Sequence, residues 1–407
     1  MREDCSQGNC QTQTQKAHRW IRAHNGIYQK MVPLALLQAG GQNICNIIME
    51  KPTVICGVQQ VGVGIKDVVE AYNWYIKAFG VDILVADALG VAERMLPYTG
   101  GKPRPRRAVL AANLKGGGGL EVWQPMDNNI TPPKEAAALG DYGIAVCKVK
   151  ALDIEKAYGH FKTLEGASLL GGISEAPYGK RHFYITDPYG NIFEIVEDDY
   201  TLFNLKEYPT GGVHGAVIGV SDMDKSIEFY AKLLGYDKVL FDSTGEFGDL
   251  KGLPGGNGKF RRVLITTTAP LQGPFAELYG YGVIELLQAY DRTPKKVFEG
   301  RWWGDPGFIQ ICFDIRNMEG MRARAKALGH DFVCDGGTDF KMAEADGHFT
   351  YVEDPDGTLI ELVETYRVPV YKKLGIYLNV KNKDARKTLP RLIMRAMKFL
   401  RVKSIHA

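Results

Sequence analysis

Asp187-Pro-Tyr-Gly-Asn-Ile-Phe-Glu194 and Asp354-Pro-Asp-Gly-Thr-Leu-Ile-Glu361 are two copies of one signal. Asp-Pro-x-Gly marks a tight turn, because Pro presets φ and Gly accepts a positive one. In both copies the turn feeds an apolar strand that carries a Glu. Working outward, Leu120-Glu-Val-Trp-Gln124 aligns with Ile284-Glu-Leu-Leu-Gln288, and Gly140-Asp-Tyr-Gly143 with Gly304-Asp-Pro-Gly307. Further upstream, Val58-Gln-Gln-Val-Gly-Val-Gly-Ile-Lys-Asp67 aligns with Val213-His-Gly-Ala-Val-Ile-Gly-Val-Ser-Asp222. Each of these is a strand ending in an Asp that can cap a helix. The helices that follow carry Trp74-Tyr75 and Phe229-Tyr230 at matching positions and stop at Gly80 and Gly235.

A repeat of this length decides the architecture before any single element does. The chain holds a duplicated unit, about residues 54–200 and 208–368, and each copy is itself two similar halves. The expected class is α+β: four βαβββ modules, paired into two cupped mixed β-sheets with helices outside. One module cannot bury its own sheet face, so modules must pair.

The ends differ from the body. Residues 1–53 fit no module and read as an N-terminal extension, either a misassigned start ahead of Met49 or a loosely ordered arm. The tail, 369–407, is basic: from Arg367 onward twelve Lys and Arg stand against Asp384 alone, so the net charge of +3 hides an acidic body. Leu389, Leu392, Ile393, Met397 and Leu400 could form an amphipathic helix. Contact with a membrane surface or an acidic partner is one reading of it, and packing against the body is the favoured one. Aromatic-interleaved nucleic-acid binding is not supported. No apolar run reaches the length of a membrane span. No signal peptide is recognisable, and seven cysteines without a CxxC favour a reducing, cytoplasmic setting.

With these motifs, residues 54 to 366 resemble the vicinal-oxygen-chelate superfamily of glyoxalase I, bleomycin-resistance proteins and extradiol dioxygenases. The resemblance implies cups that hold a divalent metal, with ligands from the first strand and from the Glu of the last strand of each module. In this sequence the first-strand positions are Gln60, Val146, Gly215 and Gln310, of which Val146 and Gly215 cannot ligate. The Glu positions are Glu121, Glu194, Glu285 and Glu361. Pairing module one with four and two with three, as in a fused glyoxalase dimer, collects Gln60, Glu121, Gln310 and Glu361 in one cup. That pairing leaves Glu194 and Glu285 in an emptied one. It is favoured over sequential pairing, which would give each cup three ligands. Taken singly, each of these residues is an ordinary strand polar residue; their shared module position gives them weight.

The implied cofactor is one divalent metal: Mn, Ni, Co, Zn or Fe. All-oxygen ligation favours Mn, Mg, Ni, Co or Fe over a tetrahedral structural zinc. The implied chemistry is proton transfer on a small substrate chelated through adjacent oxygens, of isomerase or lyase type. The resemblance implies Glu361 as general base and Glu121 as its counterpart. Gly64 and Pro125 stand where glyoxalase I carries glutathione-binding Arg and Asn, which argues against a glutathione substrate. The alternatives are a non-enzymatic small-molecule binder and a ring-cleaving dioxygenase, although no two-His-one-Glu set occupies the matching positions. His214 sits one residue out of register with an expected ligand, and a bulge at Gly211-Gly212 could restore it.

Overall fold

The computed structural model describes residues 51–127 and 129–406, so residues 1–50 of the expected N-terminal extension lie outside the described residues. Module one is β1 (Val54–Gly64), α1 (Val68–Phe79), β2 (Ile83–Ala92), β3 (Arg104–Ala112) and β4 (Gly119–Pro125). Module two is β5 (Gly143–Ala151), α2 (Ile154–Thr163), the short β6 (Ser168–Leu169) and β7 (Ser174–Glu175), β8 (Arg181–Thr186) and β9 (Ile192–Glu197). Module three is β10 (Thr210–Gly219), α3 (Met223–Leu234), β11 (Lys238–Gly245), β12 (Phe260–Thr266), the short helix α4 (Ala276–Tyr279) and β13 (Val283–Ala289). Module four is β14 (Gly307–Arg316), α5 (Met318–Ala327), β15 (Cys334–Asp335), β16 (Phe340–Met342), β17 (Ala345–Glu353) and β18 (Leu359–Tyr371). The tail adds β19 (Ile376–Asn379) and α6 (Arg391–Ala396).

The helix signals act as the sequence suggests. Asp67 accepts from the backbone N–H of Val69 and Glu70 at 2.9 and 3.0 Å, and Gly80 ends α1 at φ 61°. Asp222, Asp153 and Asn317 cap α3, α2 and α5 in the same way. Each such cap is worth about 1 kcal/mol. The Asp-Pro-x-Gly turns are also closed by their Asp: Asp187 accepts from Tyr189 and Asn191 N–H, and Asp354 from Asp356 and Thr358 N–H. The other carboxylate oxygen of each receives a helix tyrosine, Tyr75 on Asp187 at 2.7 Å and Tyr230 on Asp354 at 3.0 Å. The two strongest sequence motifs recur together because they touch.

Two sheets result. The first runs β15-β17-β18-β14-β1-β4-β3-β2 and the second β11-β12-β13-β10-β5-β9-β8-β6. Each sheet therefore takes one module from each sequence half, one with four and two with three. The central joins are antiparallel, β1 with β14 and β10 with β5. The helices lie outside the cups, on the convex faces. There one buried apolar core spans both sheets, including Tyr75, Phe79, Phe193, Tyr230 and Phe313. Burying an aromatic or aliphatic side chain of this size contributes roughly 1.5–3 kcal/mol.

Gly116–Gly119, whose sequence reads as a flexible approach into the Glu121 strand, is instead buried where the sheets meet. Gly118 N–H donates to Val213 O and Val213 N–H to Gly118 O, both at 2.7 Å. A Cβ on Gly117 would lie 2.7 Å from the Gly212 carbonyl carbon, so only glycine permits this approach.

The basic tail packs on the body. Leu389, Met394, Met397 and Leu400 are buried against Phe275 and Leu278, while Arg401 reaches Asp82 and Glu207. Its expected helix is short, α6 followed by a 3-10 turn at Met397–Leu400. The four cysteines among the described residues are buried and unpaired. No helix among the described residues is long and apolar enough to cross a membrane.

Candidate metal centre

The first cup is built on four neighbouring strands, β4, β1, β14 and β18. Parallel pairing sets Gly62 beside Glu121 and Cys312 beside Glu361. Antiparallel pairing sets Gly62 beside Gln310 and Gln60 beside Cys312. The result is a two-fold arrangement in which each Gln lies on the strand beside its own module's Glu and across the β1–β14 join from the other module's Glu. Gly62 makes it possible, since a Cβ there would stand 2.5 Å from the Gln310 amide carbon.

All four predicted side chains meet. Gln310 Nε2 donates to Glu121 Oε2 at 3.0 Å, and Gln60 Nε2 donates to Glu361 Oε2 at 3.3 Å and to Glu121 Oε2 at 3.5 Å. All four are buried, none more than 7% exposed. The amide oxygens Gln60 Oε1 and Gln310 Oε1 have no hydrogen-bond partner. Burial, and then the charge of Glu121, pushes Glu361 up to about 8; burial raises Glu121 as well. Two free amide oxygens beside two crowded, desolvated carboxylates form a donor set that suits a hard or borderline dication. Among the described residues no cluster of three or more His, Cys, Asp or Glu is placed to hold a metal. Any ion in this cup therefore depends on the amides as well as the carboxylates.

The cup opens into a cavity of about 560 Å³, lined by the three ligand candidates Gln60, Glu121 and Glu361 and walled by Trp123, Trp303 and Tyr351. Gln59, which sequence pattern alone did not single out, also faces it. A bulge between Val58 and Gln60 turns Gln59 toward Thr365 and the Cys312 thiol.

The second cup repeats the geometry with different chemistry. Glu194 and Glu285 are fully buried, and the Lys148 ammonium bridges them, 2.5 Å from Glu285 Oε2. Arg262 Nε adds a second contact to Glu285 at 2.5 Å and its NH1 one to Asp249 at 2.7 Å. His182 Nδ1 lies 2.7 Å from Glu194. Burial disfavours the Lys148 charge, but the two carboxylates outweigh it and hold the amine above its usual value. They are in turn held below the usual carboxylate range. The loop after β11 closes this cup with Phe247, Leu250 and Leu253. Lys148 went unrecognised in the sequence, although two lysines in Cys147-Lys-Val-Lys150, inside an otherwise apolar strand, were a visible anomaly.

His214 does not join either carboxylate pair. It sits on the strand position equivalent to Gln59, 3.8 Å from Asp198. Burial lowers it to about 4, with Asp198 opposing and Lys150 and Lys148 assisting.

Comparison with known proteins follows the same lines. Residues 212–362 match the family model described as Glyoxalase/Bleomycin resistance protein/Dioxygenase superfamily. No curated protein matches the chain. Among solved structures, the putative dioxygenase from Bacillus subtilis subsp. subtilis str. 168 is similar at 14% identity and TM-score 0.50, covering 86% of this chain and 96% of that one. Glyoxalase I from Zea mays is similar at 16% identity and TM-score 0.47, over 77% and 92% of the two chains. The Mn(II)-bound glyoxalase from Novosphingobium aromaticivorans is similar at 13% identity and TM-score 0.27, over 83% and 88%. At these identities the likeness concerns the fold: two curled mixed sheets with helices.

Proposed function

Residues 212–362 form a domain of the Glyoxalase/Bleomycin resistance protein/Dioxygenase superfamily, and from that premise we propose that the first cup is a divalent-metal centre acting on a small substrate with adjacent oxygens. Gln60, Glu121, Gln310 and Glu361 are the residues that would hold the ion. The observation that carries this reading is the meeting of two buried carboxylates with two buried amides whose oxygens have no hydrogen-bond partner.

A bound dication supplies Lewis-acid charge to two substrate oxygens, which favours anionic character next to a carbonyl. The chain's own part is proton handling and exclusion of water. Glu361 is the proposed base and Glu121 the group facing it across the substrate; a proton removed by one carboxylate can be returned by the other, as an isomerase or lyase requires. Trp123, Trp303 and Tyr351 keep the reacting atoms in a low-dielectric cup, where each charge interaction is stronger. The closed second cup adds a positioning frame and no second reaction.

The test is metal content of the full chain beside Glu361→Ala and Glu194→Ala. The expected result is near one divalent ion per chain, lost in Glu361→Ala and kept in Glu194→Ala. No ion in any preparation, even after incubation with Mn, Ni, Co, Zn or Fe(II), overturns the enzyme reading. A second reading then stands, that of a small-molecule binder. It is favoured by the cavity of about 560 Å³ beside the first cup, walled by Trp123, Trp303 and Tyr351, which can hold a small molecule without an ion.

A further inference from the structure

Two arginines project from β3 onto the concave face of the first sheet, and they are treated very differently. Arg104 is saturated: it meets Asp127, Asp305 at 2.8 Å and the carbonyl oxygens of Trp303 and Asn129. Arg106, two residues along, is 8% exposed and makes one hydrogen bond among the described residues, from NH1 to Ala88 O at 2.9 Å. Its Nε is buried without a partner. The guanidinium lies over the Trp123 ring, 4.8 Å from its centroid, and lines the same cavity as Glu121 and Glu361. A buried guanidinium without a carboxylate is costly, and such a group is retained where an anion completes it.

Register places this group relative to the candidate centre. Leu110 pairs with Glu121, Ala108 with Trp123 and Arg106 with Pro125, so the three β3 residues share the face of Glu121. Arg106 is four residues from Leu110, about 13 Å along the strand. Ala108, opposite Trp123, is small and adds no bulk between them. Once a dication matches Glu121 and Glu361, the charge of Arg106 is left without a counterpart.

We propose that Arg106 anchors a carboxylate on the substrate, which is therefore an acid whose carboxylate is separated from its chelating oxygens by an apolar spacer of roughly ring size. The proposal rests on the metal-centre reading for the chelating end; the placement of Arg106 on the cavity wall does not need the ion, although Glu121 shares its charge when no ion is bound. Trp123 and Trp303 form the wall along which the spacer lies, and the Arg106 guanidinium at its end meets the acid.

The test uses three probes that share one chelating pair: catechol, its para-carboxylate (protocatechuate) and the matching para-carboxamide. Binding to the Mn(II)-loaded full chain is measured by calorimetry. Wild type should hold the carboxylate about tenfold or more tighter than the carboxamide. Arg106→Gln should lose that preference while keeping its affinity for catechol, and Arg106→Lys, which retains the charge, should keep part of it. Equal affinity of carboxylate and carboxamide for wild type overturns the proposal, as does an undiminished preference in Arg106→Gln. If catechol fails to bind, the metal-centre reading falls. Benzoate against benzamide on the metal-free chain then decides Arg106, equal affinity overturning the anchor and a benzoate preference lost in Arg106→Gln supporting it.

Discussion

The two cups start from one blueprint and solve the same electrostatic problem in opposite ways. Each brings two glutamates from last strands into a buried place. In the second cup a lysine from the neighbouring strand answers both carboxylates, and Phe247, Leu250 and Leu253 fill the remaining space. In the first cup the residue at the strand position of Lys148 is Cys312, which brings no positive charge. There burial favours the glutamates' protons, amide N–H groups donate to them in place of a lysine, and a cavity remains. A fold that can complete a carboxylate pair internally has left one pair incomplete, and the metal-centre proposal builds on that contrast.

The contrast can be broken most sharply at Lys148. Lys148→Met removes the cation shared by two buried carboxylates, leaving Glu194 with His182 and Glu285 with Arg262, and should destabilise the chain by about 3–5 kcal/mol in urea unfolding. The mirror change, Glu361→Gln measured at neutral pH in the presence of chelator, should leave stability unchanged or raise it, because burial already favours the neutral carboxyl that the amide replaces. A comparable loss in both variants would mean that the cups are not electrostatically different.

His214 sharpens the comparison through pH. It is held neutral among Asp198, Lys150, Lys148 and Glu194, with its folded value near 4 against 6.5 unfolded. The unfolded chain binds the extra proton first, so this residue's contribution is present above pH 6.5 and is lost as pH falls toward 4. The loss should be about 3 kcal/mol, and His214→Gln should flatten that stretch of the stability profile. An unchanged slope in the variant would remove His214 from the account.

Smaller effects separate fold from site. Tyr75→Phe and Tyr230→Phe each delete one buried hydrogen bond to a turn Asp, and each should cost about 1–2 kcal/mol without altering metal content. Gly62→Ala should be nearly neutral for stability, since the Gln310 carboxamide it displaces is the end of a flexible side chain. It should nonetheless weaken Mn(II) binding about tenfold or more by moving one donor. Retained affinity would take Gln310 out of the ligand set.

Much of this molecule was legible in its sequence, for local reasons. Asp67, Asp222, Gly80 and Gly235 act through the backbone within a few residues, and Asp187 and Asp354 close their own turns. Such signals need no knowledge of the rest of the chain. Gln60, Glu121, Gln310 and Glu361 were singled out because the family resemblance names two positions per module and the repeat carries them along the chain; the observed pairing of modules one and four brings their side chains together. Arg106, Lys148 and the buried Gly116–Gly119 run were not found. Their meaning depends on which strand or sheet lies opposite, and that is settled over separations no local pattern reports. Gln59 was hidden for a further reason: a one-residue bulge reverses the facing that strict alternation predicts.

The nesting of the sheets also orders the events by which the chain acquires its form. The second sheet is drawn from a continuous stretch between Gly143 and Ala289, whereas the first must join Val54 to Arg316 across it. Closing the larger loop costs more chain entropy and brings no contact until the late strands arrive. The charge-filled cup should therefore assemble first and serve as the platform on which the cavity-bearing one closes. In pulse-labelled refolding, amides of β5 and β10 should gain protection before those of β1 and β14. Until then β1 waits with an unpaired edge, making it the part of the nascent chain in greatest need of protection from its neighbours.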